Sequence, residues 1–145
     1  MSAEEGGLSA EIALCLADLL ALRSPVVSVL LGEGTGGGAL ALLPADRVIA
    51  VADAWLAPLP PEGASAITHR GDPSHAAALA DEQGVTAGQL AAAGIVDVVV
   101  PAPGGDAARF ARYLGGVIAR ELTAAGSVPP ERRLAARTVK FRGRS

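Results

Sequence analysis

Runs of hydrophobic residues alternate with helical patterns along this chain. Three segments, 26–31, 47–52 and 95–100, are apolar almost throughout, and such runs predict strands that are covered on both faces. The segment Trp55-Leu56-Ala57 predicts a further short strand. Between these runs, apolar residues recur at the spacing of amphipathic helices. The alternation of the two patterns predicts an α/β fold.

Helix boundaries follow from capping residues, glycines and prolines. We predict a first helix from Ser9 to about Ser24, with Cys15 on its apolar face as a buried structural thiol. The other predicted helices lie near 61–67, near 74–82, near 87–93 after an N-cap at Thr86, and from Asp106 to Gly126. On the last helix, we expect Phe110, Leu114, Val117, Ile118 and Leu122 to form the buried face.

The composition limits the classes of protein that this chain can represent. Its 145 residues make one domain at most, and a hydrophobic content of 50% with only 3% aromatic residues predicts a core of small aliphatic side chains. A single cysteine excludes an internal disulfide and a cysteine-based zinc site. We see no signal peptide and no apolar run near the ~20 residues that a membrane helix needs. We therefore expect a soluble, cytoplasmic protein without a membrane partner.

Charge is distributed unevenly along the chain. The net charge is −3, but residues 131–145 contain six basic residues and one acidic residue, which is +5, so the first 130 residues carry −8. We interpret 131–145 as a basic C-terminal tail that is solvated and partly disordered. Nucleic acid is not an expected partner, because the body of the chain is acidic and no aromatic residues are interleaved with the basic ones.

The segment from Gly32 to Gly38 carries the clearest chemical signal. A predicted strand leads into a glycine-rich turn, and the turn leads into a short apolar helix. Glycines let a ligand approach the main chain closely, and a helix start offers unpaired N–H groups. Such a turn suits an anion, or an oxygen that becomes negatively charged during a reaction.

The glycine spacing of this turn partly resembles that of two phosphate-binding motifs. Gly32, Gly34 and Gly37 match the spacing of the dinucleotide fingerprint, and Asp53 follows the next predicted strand, but the segment before Pro44 is short for a crossover helix. An NAD(P)-binding module therefore stays as an alternative. A P-loop is excluded because residue 38 is glycine where that motif requires lysine.

Side-chain chemistry offers few other candidates. The two histidines, His69 and His75, have no carboxylate at a metal-ligand spacing, so we predict no metal site. No Gly-x-Ser-x-Gly elbow is present. Glu62, near a predicted helix start, is most simply an acid that is favoured by the helix dipole.

Four segments together resemble a known family. Gly32-Glu33-Gly34-Thr35-Gly36-Gly37-Gly38-Ala39-Leu40-Ala41 resembles the Gly-Glu-Gly-Gly-Ser-Gly-Gly-Ala-Leu-Ala segment of the carboxyltransferase α subunit of acetyl-CoA carboxylase. The other three segments are similar to that family in the same order: Ala3-Glu4-Glu5, Pro61–Ile67 and Gly94–Pro101. Thr35-Gly36 replaces the Gly-Ser pair of the family, and Ala64 replaces a cysteine.

The resemblance implies a partial crotonase-like β-β-α spiral, with residues 3–130 forming the C-terminal part of a carboxyltransferase domain. It implies that backbone N–H groups of Gly37 and Gly38 form an oxyanion hole for the ureido oxygen of carboxybiotin. The cofactor-binding residues implied with them are Gly34, Thr35, Gly36, Ala39, Glu62 and Gly63. In the family, the carboxyl group passes from biotin, held on a separate carrier protein, to acetyl-CoA or another short acyl-CoA.

The resemblance also implies partners. The acyl-CoA half of the site would come from a β-type carboxyltransferase subunit or an N-terminal half, and the biotin from a biotin carboxyl carrier protein. We expect the isolated chain to be inactive and to form homo-oligomers, since a sheet without its early strands leaves an open edge. The alternatives are a malonate-decarboxylase-type subunit, an enoyl-CoA hydratase-like protein and a non-catalytic assembly domain.

Overall fold

The computed structural model describes residues 7–60, 63, 65, 67 and 83–141. The helices are α1 (Leu8–Ala21), α2 (Gly36–Ala41), α3 (Ala87–Ala92), α4 (Ala107–Gly126) and α5 (Pro130–Phe141). The strands are β1 (Val27–Leu30), β2 (Glu33–Thr35), β3 (Arg47–Val51), β4 (Trp55–Ala57) and β5 (Val98–Val100). The predicted helix near 74–82 lies outside the described residues, while the described positions of 61–67 are helical.

The strands form two parallel sheets, and the chain alternates between them. The first sheet has the order β1-β3-β5, and the second pairs β2 with β4. Each of the first two turns of the chain adds a strand to the first sheet and then a strand to the second. With α2 closing the first of these turns, the pattern is the β-β-α spiral that the family resemblance implied.

The position of the central strand β3 between two core clusters explains the apolar run in its sequence. Side chains of a strand alternate between faces. Val48 and Ala50 pack into one core cluster with Leu56 of β4 and Leu90 of α3, while Ile49 and Val51 pack into a second cluster that α4 closes. Both faces of β3 are thus covered, as its apolar run predicted.

Several predicted boundaries are confirmed. Thr86 begins α3 with a capping box, in which its hydroxyl accepts from the Gln89 N–H and the Gln89 side chain accepts from the Thr86 N–H. Asp106 caps α4 by accepting from the Arg109 N–H at 2.9 Å. Gly94 has φ of 73°, the left-handed conformation expected just after a helix.

The first helix differs from its prediction. It begins at Leu8 after a left-handed Gly7, so Ser9 lies inside the helix and is not its N-cap. No residue of α1 is buried, and Cys15 is exposed, so the prediction of a buried thiol is wrong. The apolar pattern correctly predicted a helix, but such a pattern does not determine whether other residues of this chain cover the apolar face.

The predicted disorder of the basic C-terminal segment is wrong for residues 131–141, which belong to α5. The Arg137 side chain is fully buried, and its Nη2 donates to both carboxylate oxygens of Asp46 at 2.9 Å. Its Nη1 donates to the carbonyl oxygens of Leu19 and Leu22 at the end of α1. Helix α5 is therefore anchored to the body of the domain by buried charge.

A second arginine of α5 closes another helix end. Arg133, which is 6% exposed, donates from Nη1 to the carbonyl oxygens of Ala125 and Val128 and from Nη2 to that of Arg23. Cations near a helix C-terminus satisfy its unpaired carbonyl groups. The two arginines thus connect the ends of α1 and α4.

Charged residues also replace a predicted apolar contact on α4. Glu121 is buried and accepts from Arg47 Nε at 2.9 Å, whereas Leu122 is 42% exposed, so its predicted burial is wrong. Arg47 also donates to Asp97 at 3.1 Å, and Asp97 accepts from Lys140. This cluster lies where β3 and β5 begin, at the opposite end of the sheet from the glycine turn.

Candidate functional site

The glycine turn connects the two sheets and leads into α2. Strand β1 ends at Leu30, Gly32 follows, and β2 runs directly into the helix at Gly36. The sequence predicted a turn here, but it did not predict β2, because a glycine-rich segment has low strand propensity. Pairing of β2 with β4, in which Gly34 lies opposite Leu56, fixes the backbone in spite of that propensity.

The backbone at the helix start needs glycine at residue 36. Thr35, the N-cap, is extended with φ of −133°, and Gly36 then has φ of 72°. That left-handed value is costly for residues with a Cβ atom. The Thr35 side chain makes no capping hydrogen bond. The first N–H groups of α2 therefore have neither an intrahelical acceptor nor a side-chain cap.

Gly37 and Gly38 are both exposed, but their surroundings differ. A Cβ atom built on Gly37 would lie 3.2 Å from Ile12 Cδ1 of α1, whereas a Cβ atom on Gly38 would have no heavy atom of the described residues within 4 Å. The turn is thus backed by α1 at Gly37 and open at Gly38. The space beside the Gly38 Cβ position is thus free of atoms of the described residues.

The other predicted site residues fall in different places. Ala39 is half-buried in α2, and Thr35 is exposed beside the turn. Gly34 is buried, and a Cβ atom there would lie 2.7 Å from Leu56 Cδ1 and 3.0 Å from Leu30 Cδ1. The structure gives Gly34 a packing reason for being glycine, and its ligand contact stays a prediction.

The second predicted segment of the site is only partly described. Gly63 is helical and half-buried, with Pro60 Cδ 3.8 Å from a Cβ atom built there, and Glu62 lies outside the described residues. His69 and His75 also lie outside them. Within the described ranges, no group of three or more histidine, cysteine or acidic residues is placed to hold a metal ion.

An apolar cavity of about 280 Å³ lies beside the turn. Gly34 and Ala39 contribute to its wall, as do Leu31 and Leu42, which are 61% and 63% exposed. Its polar members are Glu33, which is exposed, and Ser28, whose hydroxyl donates to the Leu42 carbonyl oxygen. The cavity suits an apolar group beside a ligand whose polar end reaches the turn.

The geometry removes the basis of the dinucleotide alternative. In a dinucleotide-binding unit, the fingerprint turn runs from a strand directly into a long crossover helix. Here β2 of a second sheet lies within the fingerprint, and the helix that follows has only six residues. Asp53, the predicted ribose-binding acid, is an exposed turn residue.

The strand-strand-helix spiral places the chain in the crotonase-like class of α/β folds. A Pseudomonas malonate decarboxylase hetero-tetramer matches with a TM-score of 0.67 at 21% identity, over 92% of this chain and 54% of that one. An enoyl-CoA hydratase from Mycobacterium avium subsp. paratuberculosis K-10 matches with a TM-score of 0.57 at 26% identity, over 92% of this chain and 57% of that one. These likenesses confirm the predicted fold class.

The sequence specifies the family more closely. Residues 1–144 match the model of the acetyl co-enzyme A carboxylase carboxyltransferase-like family, and the chain belongs to that family. It is 51% identical over 144 residues to a probable biotin-dependent acyl-coenzyme A carboxylase beta3 subunit of Mycobacterium tuberculosis. It is 39% identical over 146 residues to the acetyl-coenzyme A carboxylase carboxyl transferase subunit alpha of Deinococcus radiodurans.

The chain spans only part of those relatives. The matches cover 97% and 98% of this chain but 29% of the Mycobacterium protein and 46% of the Deinococcus protein. The family resemblance predicted from four sequence segments is thus confirmed, as is the correspondence to part of a longer carboxyltransferase. None of the described helices is long and apolar enough to cross a membrane.

Proposed function

We propose that this chain is an α-type carboxyltransferase component that binds the biotin side of a biotin-dependent acyl-CoA carboxylase. The observation that carries the proposal is the open backbone at Gly38, which lies in the segment that resembles the family turn. In this role the N–H groups of Gly37 and Gly38 donate to the ureido oxygen of carboxybiotin. Thr35, Gly36 and Ala39 shape the path to them.

The residues present fit a biotin ring. Its ureido oxygen needs donors that are reachable without a side chain in the way, which Gly38 offers, and its apolar part needs a nonpolar surface, which the cavity beside the turn offers. Carboxybiotin supplies a carboxyl group whose release leaves negative charge on the ureido oxygen. Donors held rigidly at that oxygen favour the transition state over the ground state.

The charge distribution on the described residues agrees with this division of roles. Among the described residues, the buried side chains of Arg133 and Arg137 bind Asp46 and helix-end carbonyl oxygens, away from the turn. The described residues that line the cavity beside the turn include no lysine or arginine, so backbone donors are proposed as the electrophilic groups there. Glu62 and Gly63, from the Pro61–Ile67 segment, are proposed as further biotin-side contacts.

The acyl-CoA side of the reaction is assigned to a partner. We propose a β-type carboxyltransferase subunit or an N-terminal half, with biotin delivered by a biotin carboxyl carrier protein. Relatives of this chain are named as subunits of acyl-CoA carboxylases, which supports an assembly of several chains. Bringing the two substrates together is a large part of such catalysis, so half a site should be inactive alone.

A malonate-decarboxylase-type subunit and an enoyl-CoA hydratase-like protein remain the alternatives within the fold. The decarboxylase likeness, at 21% identity, supports the fold alone. The hydratase alternative needs a pair of acidic side chains for proton transfer at the turn. Among the residues that the structure describes, Glu33 is the one acidic residue in the wall of the cavity beside the turn, which disfavours the hydratase alternative. A non-catalytic assembly domain is the alternative from another class.

The test is carboxyl transfer from malonyl-CoA to free biotin, measured for the chain alone and with a β-type subunit. We expect no transfer by the chain alone and transfer by the mixture. Calorimetric titration of the chain with biotin, acyl-CoA and NADH distinguishes the proposed carboxyltransferase component from a dinucleotide-binding module. Binding of NADH without any response to biotin, or hydration of an enoyl-CoA, would contradict the proposal.

A further inference from the structure

Helix α1 forms a wall behind the glycine turn. It packs against α2, and Ile12 of α1 comes closest to the turn at Gly37. A Cβ atom on Gly37 would lie 3.2 Å from Ile12 Cδ1 and 3.5 Å from Ile12 Cγ2. The first distance is shorter than an ordinary contact between carbon atoms. The Cβ position of Gly37 therefore faces the Ile12 side chain, and no room for a methyl group is left between them.

The position of this wall is fixed from its far end. No residue of α1 is buried, so burial alone holds the helix weakly. At its C-terminal end, however, Arg137 donates to the Leu19 and Leu22 carbonyl oxygens, and Arg133 donates to that of Arg23. Helix α5 thus anchors α1, and α1 in turn supports the turn.

We infer that Ile12 is a positioning residue that sets where the backbone donors of Gly37 and Gly38 lie. The catalytic part of this inference rests on the proposed function of the turn. A displacement of about 1 Å in a reacting group can cost on the order of 10²-fold in rate. An added methyl group at Gly37 has to move either Ile12 or the turn. The distance from Ile12 to the turn thus controls donor placement.

A double-mutant cycle in the full chain tests the contact. Ile12→Val removes Cδ1, the atom at 3.2 Å, and keeps Cγ2. We expect Gly37→Ala to lower the denaturant midpoint of unfolding in the wild-type background and to leave that midpoint little changed in the Ile12→Val background. The coupling should be roughly tenfold in the equilibrium constant, within the range usual for contacting residues.

Gly38→Ala supplies the matched control for coupling. It adds the same methyl group one residue later, where no heavy atom lies within 4 Å, so it should show no coupling to Ile12→Val. Amide chemical shifts of Gly36 and Gly38, whose own residue types do not change in Gly37→Ala, are sensitive to a movement of the turn. We expect Gly37→Ala to shift them and Ile12→Val to move them back in the double variant.

Turnover in the chain assembled with a β-type subunit then tests the positioning role. Gly37→Ala should lower kcat on the order of tenfold with KM little changed, and Ile12→Val should restore kcat in the double variant. The inference would be overturned if Gly37→Ala and Ile12→Val showed no coupling in unfolding and in amide shifts. It would also be overturned if the wild-type assembly were active but Ile12→Val did not restore kcat in the double variant. If the wild-type assembly transfers no carboxyl group, the proposed function fails, and the unfolding and amide measurements still decide the role of Ile12.

Discussion

Arg137 and Asp46 lie 91 positions apart in the chain and meet through two hydrogen bonds of 2.9 Å. The Arg137 side chain is fully buried and that of Asp46 is 5% exposed. Asp46 also accepts from the Val26 N–H at 2.8 Å, just before β1 begins. One carboxylate thus joins the last helix to the entry of the strand that leads to the glycine turn.

Arg137→Ala should strongly destabilise the domain. Removing one member of a buried ion pair leaves the other charge uncompensated, which costs about 3–5 kcal/mol. Arg137→Lys should recover only part of this loss, because lysine cannot reproduce the paired hydrogen bonds of a guanidinium group. Urea unfolding of the two variants measures the difference. The exposed pair Arg23–Glu131 is the control, and Arg23→Ala should change the midpoint little. Equal midpoints for Arg137→Ala and Arg23→Ala would contradict the prediction.

Gly38→Val should remove catalysis while leaving the fold intact. The added side chain enters open space, so packing is not disturbed, but it occupies the path to the proposed donors. We expect turnover of the assembled enzyme to fall on the order of 10²–10³-fold, the loss typical of an oxyanion donor. Circular dichroism and unfolding should match the wild type. Unchanged turnover in a folded Gly38→Val variant would exclude the turn from the mechanism.

Gly115→Ala and Gly116→Ala should each stabilise the domain. Both glycines lie inside α4, both are exposed, and neither has a heavy atom within 4 Å of an added Cβ. Alanine in a helix interior is favoured over glycine by about 0.5–1 kcal/mol. Thermal unfolding of the two variants checks this. Destabilisation by either substitution would contradict the prediction.

Acidification should weaken one contact of α5 in a predictable direction. The hydrogen bond from Arg23 lowers the pKa of Glu131. A lowered pKa in the folded state means that the contribution is fully present above the unfolded carboxyl pKa and is lost as the pH falls through the folded pKa. Because both side chains are exposed, the effect should be small and should shrink with added salt. A carboxyl titration followed by NMR, with Arg23→Ala as reference, measures the shift.

The isolated chain should not be a lone monomer. Exposed apolar side chains of the described surface lie on α1, at its C-cap and in the wall of the cavity beside the turn: Leu8, Leu14, Leu22, Leu31 and Leu42. Strand β1 also lies at an edge of its sheet, where unpaired backbone groups favour further pairing. Light scattering of the purified chain should give a mass above that of one copy, and addition of a β-type subunit should change it. A compact, active monomer would refute this.

The sequence predicted the parts of the fold that depend on local patterns. Apolar runs located β1, β3 and β5, and the caps at Thr86 and Asp106 located the starts of two helices. These features depend on neighbours within a few residues. Strand β2 was missed because its pairing with β4 is non-local and its residues, Glu33-Gly34-Thr35, have little strand preference of their own.

The buried charges could not be predicted for the same reason. Six basic residues among positions 131–145 predict a solvated segment unless the positions of their hydrogen-bond acceptors are known. Most of those acceptors, Asp46, Asp97 and the carbonyl groups at the end of α1, are distant in sequence, and only the carbonyl groups at the end of α4 lie within eight residues of Arg133. The glycine turn itself was located correctly, but the contact of Ile12 with Gly37 appears only in three dimensions.

The separation of Asp46 from Arg137 has a consequence for how this chain is made. Proteins are synthesised at about 5–20 residues per second, so the 91 residues between the two take roughly 5–18 s to be added. During that interval the first strands and the glycine turn have left the ribosome, but the carboxylate on which their entry depends has no guanidinium partner. The ion pair between Asp46 and Arg137 can therefore form only after α5 has been synthesised, and until then the Asp46 carboxylate lacks this cation.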